Sequence, residues 1–262
     1  MSEEQNANET QASTRQFAQA VEITTATYDR FARDYAERHE DMPPLWERLL
    51  DTFIDRLDEE AAAHPIPELG RPGDDISLEE YLNFAPVLDA GCGPGRDARA
   101  LAAHGLPVLG IDLSQGMLDE AQERTARRLP QGSVRYAIMD LRRLDLPDAC
   151  CRGVWCSASL LHLPRHVAPR AVAELTRVAR ADAPVVVFLK EQQSGGANQH
   201  FLPYFRSDEA SPRRFFTYYT ADEARILLTG AGLVVDDLSA EPNMSDPGGP
   251  GWLALLARKP EA

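Results

Sequence analysis

The chain has 262 residues, enough for one large domain with a sizeable core. Its hydrophobic fraction of 44% is ordinary for a globular protein, and no stretch has the uninterrupted apolar length of a membrane span. The formal net charge is −14; such a surface repels phosphate backbones, so nucleic acid is disfavoured as a partner.

The N-terminal residues are polar and lack the basic start and apolar core of a signal peptide. Cys92, Cys150, Cys151 and Cys156 form no C-x-x-C pair, which reads as four reduced thiols. Together these features lead to the expectation of a cytoplasmic protein with no membrane attachment. Nothing in the sequence speaks to the oligomeric state.

In chain order, residues 1–14 have the composition of a disordered tail. Residues 15–64 read as helical. Phe31, Tyr35, Leu45, Leu49, Leu50, Phe53 and Leu57 fall mostly at three- and four-residue steps, and Pro43 with Pro44 divides the segment into at least two helices. Residues 65–85 begin with a Pro- and Gly-rich run and read as a linker. From residue 86 the pattern alternates. Strands are predicted at 86–90, 107–111, 134–139, 153–156, 184–190, 233–238 and 252–257. Helices are predicted at 97–104, 115–128, 166–180 and 221–231, with Ser114 as an N-cap and Thr220 with Glu223 as a capping box. Alternation of this kind predicts an α/β domain over 86–262: a Rossmann-like, doubly wound, seven-stranded and mostly parallel sheet with helices on both faces.

The segment Val-Leu-Asp-Ala-Gly-Cys-Gly-Pro-Gly-Arg-Asp, residues 87–97, carries the strongest functional signal. A buried strand ends in Asp89, and Gly91, Gly93 and Gly95 precede a helix. Glycines let the chain turn sharply and approach a ligand closely. The spacing is not the G-x-G-x-x-G of a dinucleotide site. An acid two residues before the first glycine would repel a pyrophosphate but attract an amino group or a sulfonium.

On these residues the chain resembles the class I S-adenosylmethionine-dependent methyltransferases, from Tyr28 onward. The resemblance implies S-adenosyl-L-methionine as cofactor, S-adenosyl-L-homocysteine as product, a small-molecule methyl acceptor and no metal. It implies that Asp89, Gly91, Cys92 and Gly93 flank the methionine portion. Asp112, at the end of the second strand, is the expected ribose ligand, followed by Leu113. Met117 is expected under the adenine, or else in the core. Asp140 is expected at the adenine amino group with Leu141 beside the ring, or else as a turn cap. Cys156 and Ser157 are expected against the cofactor through backbone groups. The N-terminal segment containing Tyr28 and Tyr35 resembles a helical lid, with Tyr28 as the cofactor contact.

His162 is the candidate general base, since an imidazole titrates near neutrality, although local packing explains it equally well. His162 and His166 do not make a metal set, because Pro164 separates them and no thiol or carboxylate completes it. Two other readings remain open. The Leu161-His162-Leu163-Pro164 segment also permits a transfer-RNA-modifying methyltransferase. The fold also permits a non-catalytic nucleotide- or cofactor-binding protein, an NAD-dependent oxidoreductase included.

Overall fold

Why the strands stack as they do is visible in their side-chain alternation. In the computed structural model, which describes residues 19–63, 76–205, 208, 210–243 and 248–261, the predicted alternation is realised. The elements are α1 (Ala20–Arg38), α2 (Pro44–Ala63), α3 (Leu78–Leu82), β1 (Val87–Ala90), α4 (Arg96–Ala103), β2 (Val108–Asp112), α5 (Gln115–Ala126), β3 (Val134–Ile138) and β4 (Gly153–Ser157). A short 3-10 turn (Leu160–His162) follows, then α6 (Ala168–Val178), β5 (Pro184–Glu191), β6 (Gln199–Pro203), β7 (Arg213–Tyr219), α7 (Ala221–Thr229), β8 (Val234–Glu241) and β9 (Trp252–Arg258).

The central strands run β3-β2-β1-β4-β5, all parallel, and β9 joins β5 antiparallel with β8 outside it. Successive side chains of β4 and β5 enter opposite layers. Val154, Cys156, Val185, Val187 and Leu189 pack among α6 and α7. Trp155, Val186 and Phe188 pack instead against Trp46, Phe53 and Leu57 of α2 and Leu101 of α4. A sheet apolar on both faces must be covered on both, which is why its strands read as continuous apolar runs.

Two differences from the expected architecture stand out. The sheet has nine strands, not seven, because β6 and β7 form an additional antiparallel hairpin. Beyond the end of β4, β7 takes over the same edge of β5, pairing Tyr218 with Lys190 and Tyr219 with Glu191. The hairpin therefore stands over the carboxyl ends of the central strands. The expected linker also contains structure: Ser77 and Glu80 form a capping box that opens α3, and Tyr81 is buried with its hydroxyl donating to the Val108 carbonyl at 2.9 Å. The expected disordered tail, residues 1–14, and residues 64–75 lie outside the described residues. Among the described residues no helix is long and apolar enough to cross a membrane.

Helix α1 is held against the hairpin and against α5. Thr27 Oγ1 donates to the Arg213 carbonyl at 2.7 Å, and Thr24 Oγ1 accepts from the Phe215 N–H at 2.9 Å. Asp29 Oδ1 accepts from Ser114 Oγ at 2.6 Å and from the Gly116 N–H at 3.0 Å, placing a carboxylate at the positive end of α5. Gly116 is needed for this contact: a Cβ there would lie 2.8 Å from the Asp29 carbonyl oxygen.

Candidate active site

The carboxyl ends of β1, β2 and β4, the hairpin and α1 enclose one cavity of about 870 Å³. In open α/β sheets the crevice beyond the carboxyl ends of the strands, where the strand order reverses, is where ligands bind. Asp89, Gly91, Cys92 and Gly93 line it, as do Asp112, Leu113, Met117, Asp140 and Leu141. Ser157, His162 and Tyr28 line it from the other side. Cys156 does not. The alternation of β4 turns its side chain into the core, fully buried, with Sγ 3.1 Å from Ser159 Oγ, and burial pushes the thiol up to about 12.

The glycine loop is built around close approach. Gly91 and Gly93 have φ of 77° and 52°, a region that side chains disfavour. A Cβ on Gly91 would also stand 2.2 Å from Ser159 Cβ, so the turn after β4 can press against the loop only because that atom is missing. In that turn Ala158 is itself left-handed, with φ of 54°.

Asp89 is 1% exposed, and its Oδ2 meets no hydrogen-bond partner among the described residues. Burial, with the Asp97 carboxylate nearby, pushes its pKa well above the usual carboxylate range. Asp97 is engaged, accepting from the Trp155 indole N–H at 2.8 Å and from Arg96 Nε at 2.6 Å. A ligand ammonium at this end of the cavity would supply the donor that Asp89 lacks.

Asp112 ties the loop to the second strand. Its Oδ2 accepts from the Gly93 N–H and its Oδ1 from the Ser114 N–H, both at 2.9 Å. Burial pushes its pKa up against the pull of these backbone donors. Each oxygen retains a second lone pair for a hydroxyl. Asp140 behaves as a turn cap: it accepts from the Arg142 N–H at 2.9 Å, and the Arg142 guanidinium grips both its oxygens at 2.5–2.9 Å. Burial alone would raise its pKa, but this grip holds it below the usual value. Met117 is 2% exposed, with its N–H capped by Ser114 Oγ.

His162 is committed on both ring nitrogens. Nδ1 lies 2.6 Å from the Phe215 carbonyl, which can only accept, so Nδ1 carries the proton. Nε2 then accepts from the Tyr28 hydroxyl at 2.8 Å. Burial, aided by the Arg214 charge, lowers the imidazole to about 3. Burial also raises the Tyr28 phenol. Tyr35 meets Tyr28 edge to face at 5.4 Å.

Sequence reasoning missed Asp97, Ser159 and Trp46, all in the cavity wall. Asp97 follows the last glycine by two residues and could have been read as part of the loop motif. Trp46, whose indole N–H donates to Ser157 Oγ at 2.7 Å, carried no signal beyond apolar periodicity.

Residues 87–182 match a family described as a methyltransferase domain. The chain is 38% identical over 94 residues to the malonyl-[acyl-carrier protein] O-methyltransferase of Serratia marcescens, covering 36% of this chain and 34% of that protein. It is 27% identical over 156 residues to the S-adenosyl-L-methionine-dependent Diels-Alderase iccD of Talaromyces variabilis, covering 58% of this chain and 47% of that one. The match thus spans less than half the length of these relatives. A solved S-adenosylmethionine-dependent methyltransferase from Methanosarcina mazei superposes with a TM-score of 0.59 at 19% identity, covering 72% of this chain and all of that one, and so shares the fold.

Proposed function

We propose, from the premise that residues 87–182 form a methyltransferase domain within a class I S-adenosylmethionine-dependent methyltransferase fold, that this chain methylates a small-molecule acceptor with S-adenosyl-L-methionine. The observation that carries this reading is Asp89, a buried carboxyl in the cavity wall beside the glycine loop, whose Oδ2 has no hydrogen-bond partner among the described residues. It fits the ammonium of an amino-acid moiety and disfavours a pyrophosphate.

In this reading Asp89 would hold the ammonium, and Gly91, Cys92 and Gly93 would flank the methionine portion. Asp112 takes ribose hydroxyls on its remaining lone pairs, Leu113 and Met117 flank the nucleoside, and Asp140 and Leu141 border the base. Ser157 closes the methionine side. The bound cofactor supplies a methyl group already activated by its sulfonium, so the chain's own work is alignment and exclusion of water. Helix α1 serves as the lid, docked on α5 through Asp29 and on the hairpin through Thr24 and Thr27.

The His162 base enters this reading in modified form. Its Nε2 is occupied by Tyr28, so the oxygen presented to an acceptor is the Tyr28 hydroxyl, and His162 orients it. With its imidazole lowered to about 3, His162 does not hold a second proton near neutrality, and its role in this reading is to position the Tyr28 hydroxyl.

A second reading follows from the likeness to a Diels-Alderase: the cofactor is bound and left intact while the acceptor rearranges. Incubation with S-adenosyl-L-methionine and an acceptor panel, followed by mass spectrometry, separates the two. A methylated product with equimolar S-adenosyl-L-homocysteine is expected. An isomerised product with the cofactor unconsumed would instead establish the second reading.

A further inference from the structure

We propose that the acceptor is a carboxylic acid whose carboxylate docks on Arg214, an inference that rests on the methyltransferase reading. Arg214 lies opposite Leu202 in the β6–β7 hairpin and lines the cavity. Its guanidinium carbon is 4.8 Å from the ring centre of Tyr204, 5.2 Å from that of Phe216 and 5.6 Å from that of Tyr28. Among the described residues no carboxylate pairs with it. Its polar contact is a long one, 3.4 Å to the Tyr28 hydroxyl, and its Nε is buried without an acceptor.

The other basic side chains of the wall are engaged. Arg38 pairs with Asp34, Arg48 with Glu241 at 3.1 Å and Arg96 with Asp97 at 2.6 Å. Lys190 donates to the Pro250 carbonyl at 3.3 Å and stands 3.6 Å over the Trp252 ring. In a chain of net charge −14, a cavity-facing guanidinium without a counter-charge is a pointed exception. Half-burying it costs free energy that ring faces offset only in part. An anionic ligand supplies the rest.

The cavity is polarised accordingly. Carboxylates Asp89 and Asp112 stand at the glycine-loop end, suited to a cationic cofactor, while Arg214 stands at the hairpin end. A carboxylate matches the planar fork of a guanidinium, and the rings around Arg214 provide flat walls for a planar apolar body attached to it.

The test is calorimetric titration of the S-adenosyl-L-homocysteine-loaded protein with benzoate, cinnamate and 2-naphthoate, each beside its primary amide. At least one carboxylate is expected to bind, with its amide at least ~10-fold weaker. Arg214→Gln is expected to weaken the carboxylate by about 10- to 100-fold, and Arg214→Lys to restore part of the loss. Both variants should keep wild-type affinity for S-adenosyl-L-homocysteine, which also reports that they fold. If S-adenosyl-L-homocysteine binds but no carboxylate does, the proposal is overturned. It is equally overturned if the amides bind as well or if Arg214→Gln keeps the carboxylate affinity. Failure of S-adenosyl-L-homocysteine itself to bind would instead bring down the methyltransferase reading beneath it.

Discussion

The Tyr28 hydroxyl donates to His162 Nε2 at 2.8 Å, joining the N-terminal helix to the turn after β4 across the cavity. Because Nδ1 is spent on the Phe215 carbonyl, the imidazole is fixed as its Nδ1–H tautomer. Nitrogen NMR should show that tautomer, uncharged at pH 6, where a free imidazole would be largely protonated. Tyr28→Phe removes the donor to Nε2 and is expected to raise the His162 pKa and to lower stability by about 1 kcal/mol. An unchanged His162 resonance in that variant would show that the hydrogen bond does not form in solution.

The same imidazole makes stability depend on pH. Its folded value, about 3, lies below the ordinary value near 6.5, so the unfolded chain binds the proton first. This group therefore subtracts nothing above about pH 6.5 and destabilises the fold as pH falls toward 3, by up to about 1.4 kcal/mol per pH unit. Asp89, raised, acts in the opposite sense, gaining stability as pH falls. The two are separated by difference: denaturant midpoints of His162→Gln should fall less steeply than wild type between pH 7 and pH 5. Parallel slopes would mean that His162 is accessible to protons in the folded chain.

Asp89 should show opposed effects on stability and binding. Asp89→Asn removes a buried charge whose Oδ2 lacks a donor, beside Asp97. The variant is expected to melt at a higher temperature than wild type and to lose at least ~10-fold in affinity for S-adenosyl-L-homocysteine, as expected for a lost charge-assisted hydrogen bond. A more stable variant with full affinity would remove Asp89 from the ligand site.

Docking of α1 can be tested at a distance from the cavity. Gly116→Ala places a Cβ against the Asp29 backbone, at 2.8 Å from its carbonyl oxygen and 3.1 Å from its Cα. Displacement of α1 is expected to cost about 1–3 kcal/mol and to speed amide exchange across residues 20–38. Unaltered exchange in that helix would show that the Asp29 contact does not hold it.

The legible parts of the site were those encoded locally. A strand ending in Asp89 before three glycines, Asp112 at the next strand end, and caps at Ser114 and Thr220 each declare themselves within a few residues. What escaped depends on long-range pairing. The β6–β7 hairpin has no tight two-residue turn to mark it, and it is tied down by hydrogen bonds to Thr24, Thr27 and Leu163, far away in sequence. It is this hairpin that carries Arg214 into the cavity. The side chain of Cys156 faces the core because the two-residue strand period sends it and Ser157 to opposite layers, which leaves only its backbone for the contact expected of it. The Ser77–Glu80 capping box was readable but was overshadowed by the Pro-rich run before it.

The most direct test of the cofactor assignment is calorimetric titration of the wild-type chain with S-adenosyl-L-homocysteine and, separately, with NADH. Micromolar binding of the first, roughly −8 kcal/mol, with none of the second is expected. Binding of NADH without S-adenosyl-L-homocysteine would contradict it, and would reassign the Asp89 end of the cavity to a dinucleotide.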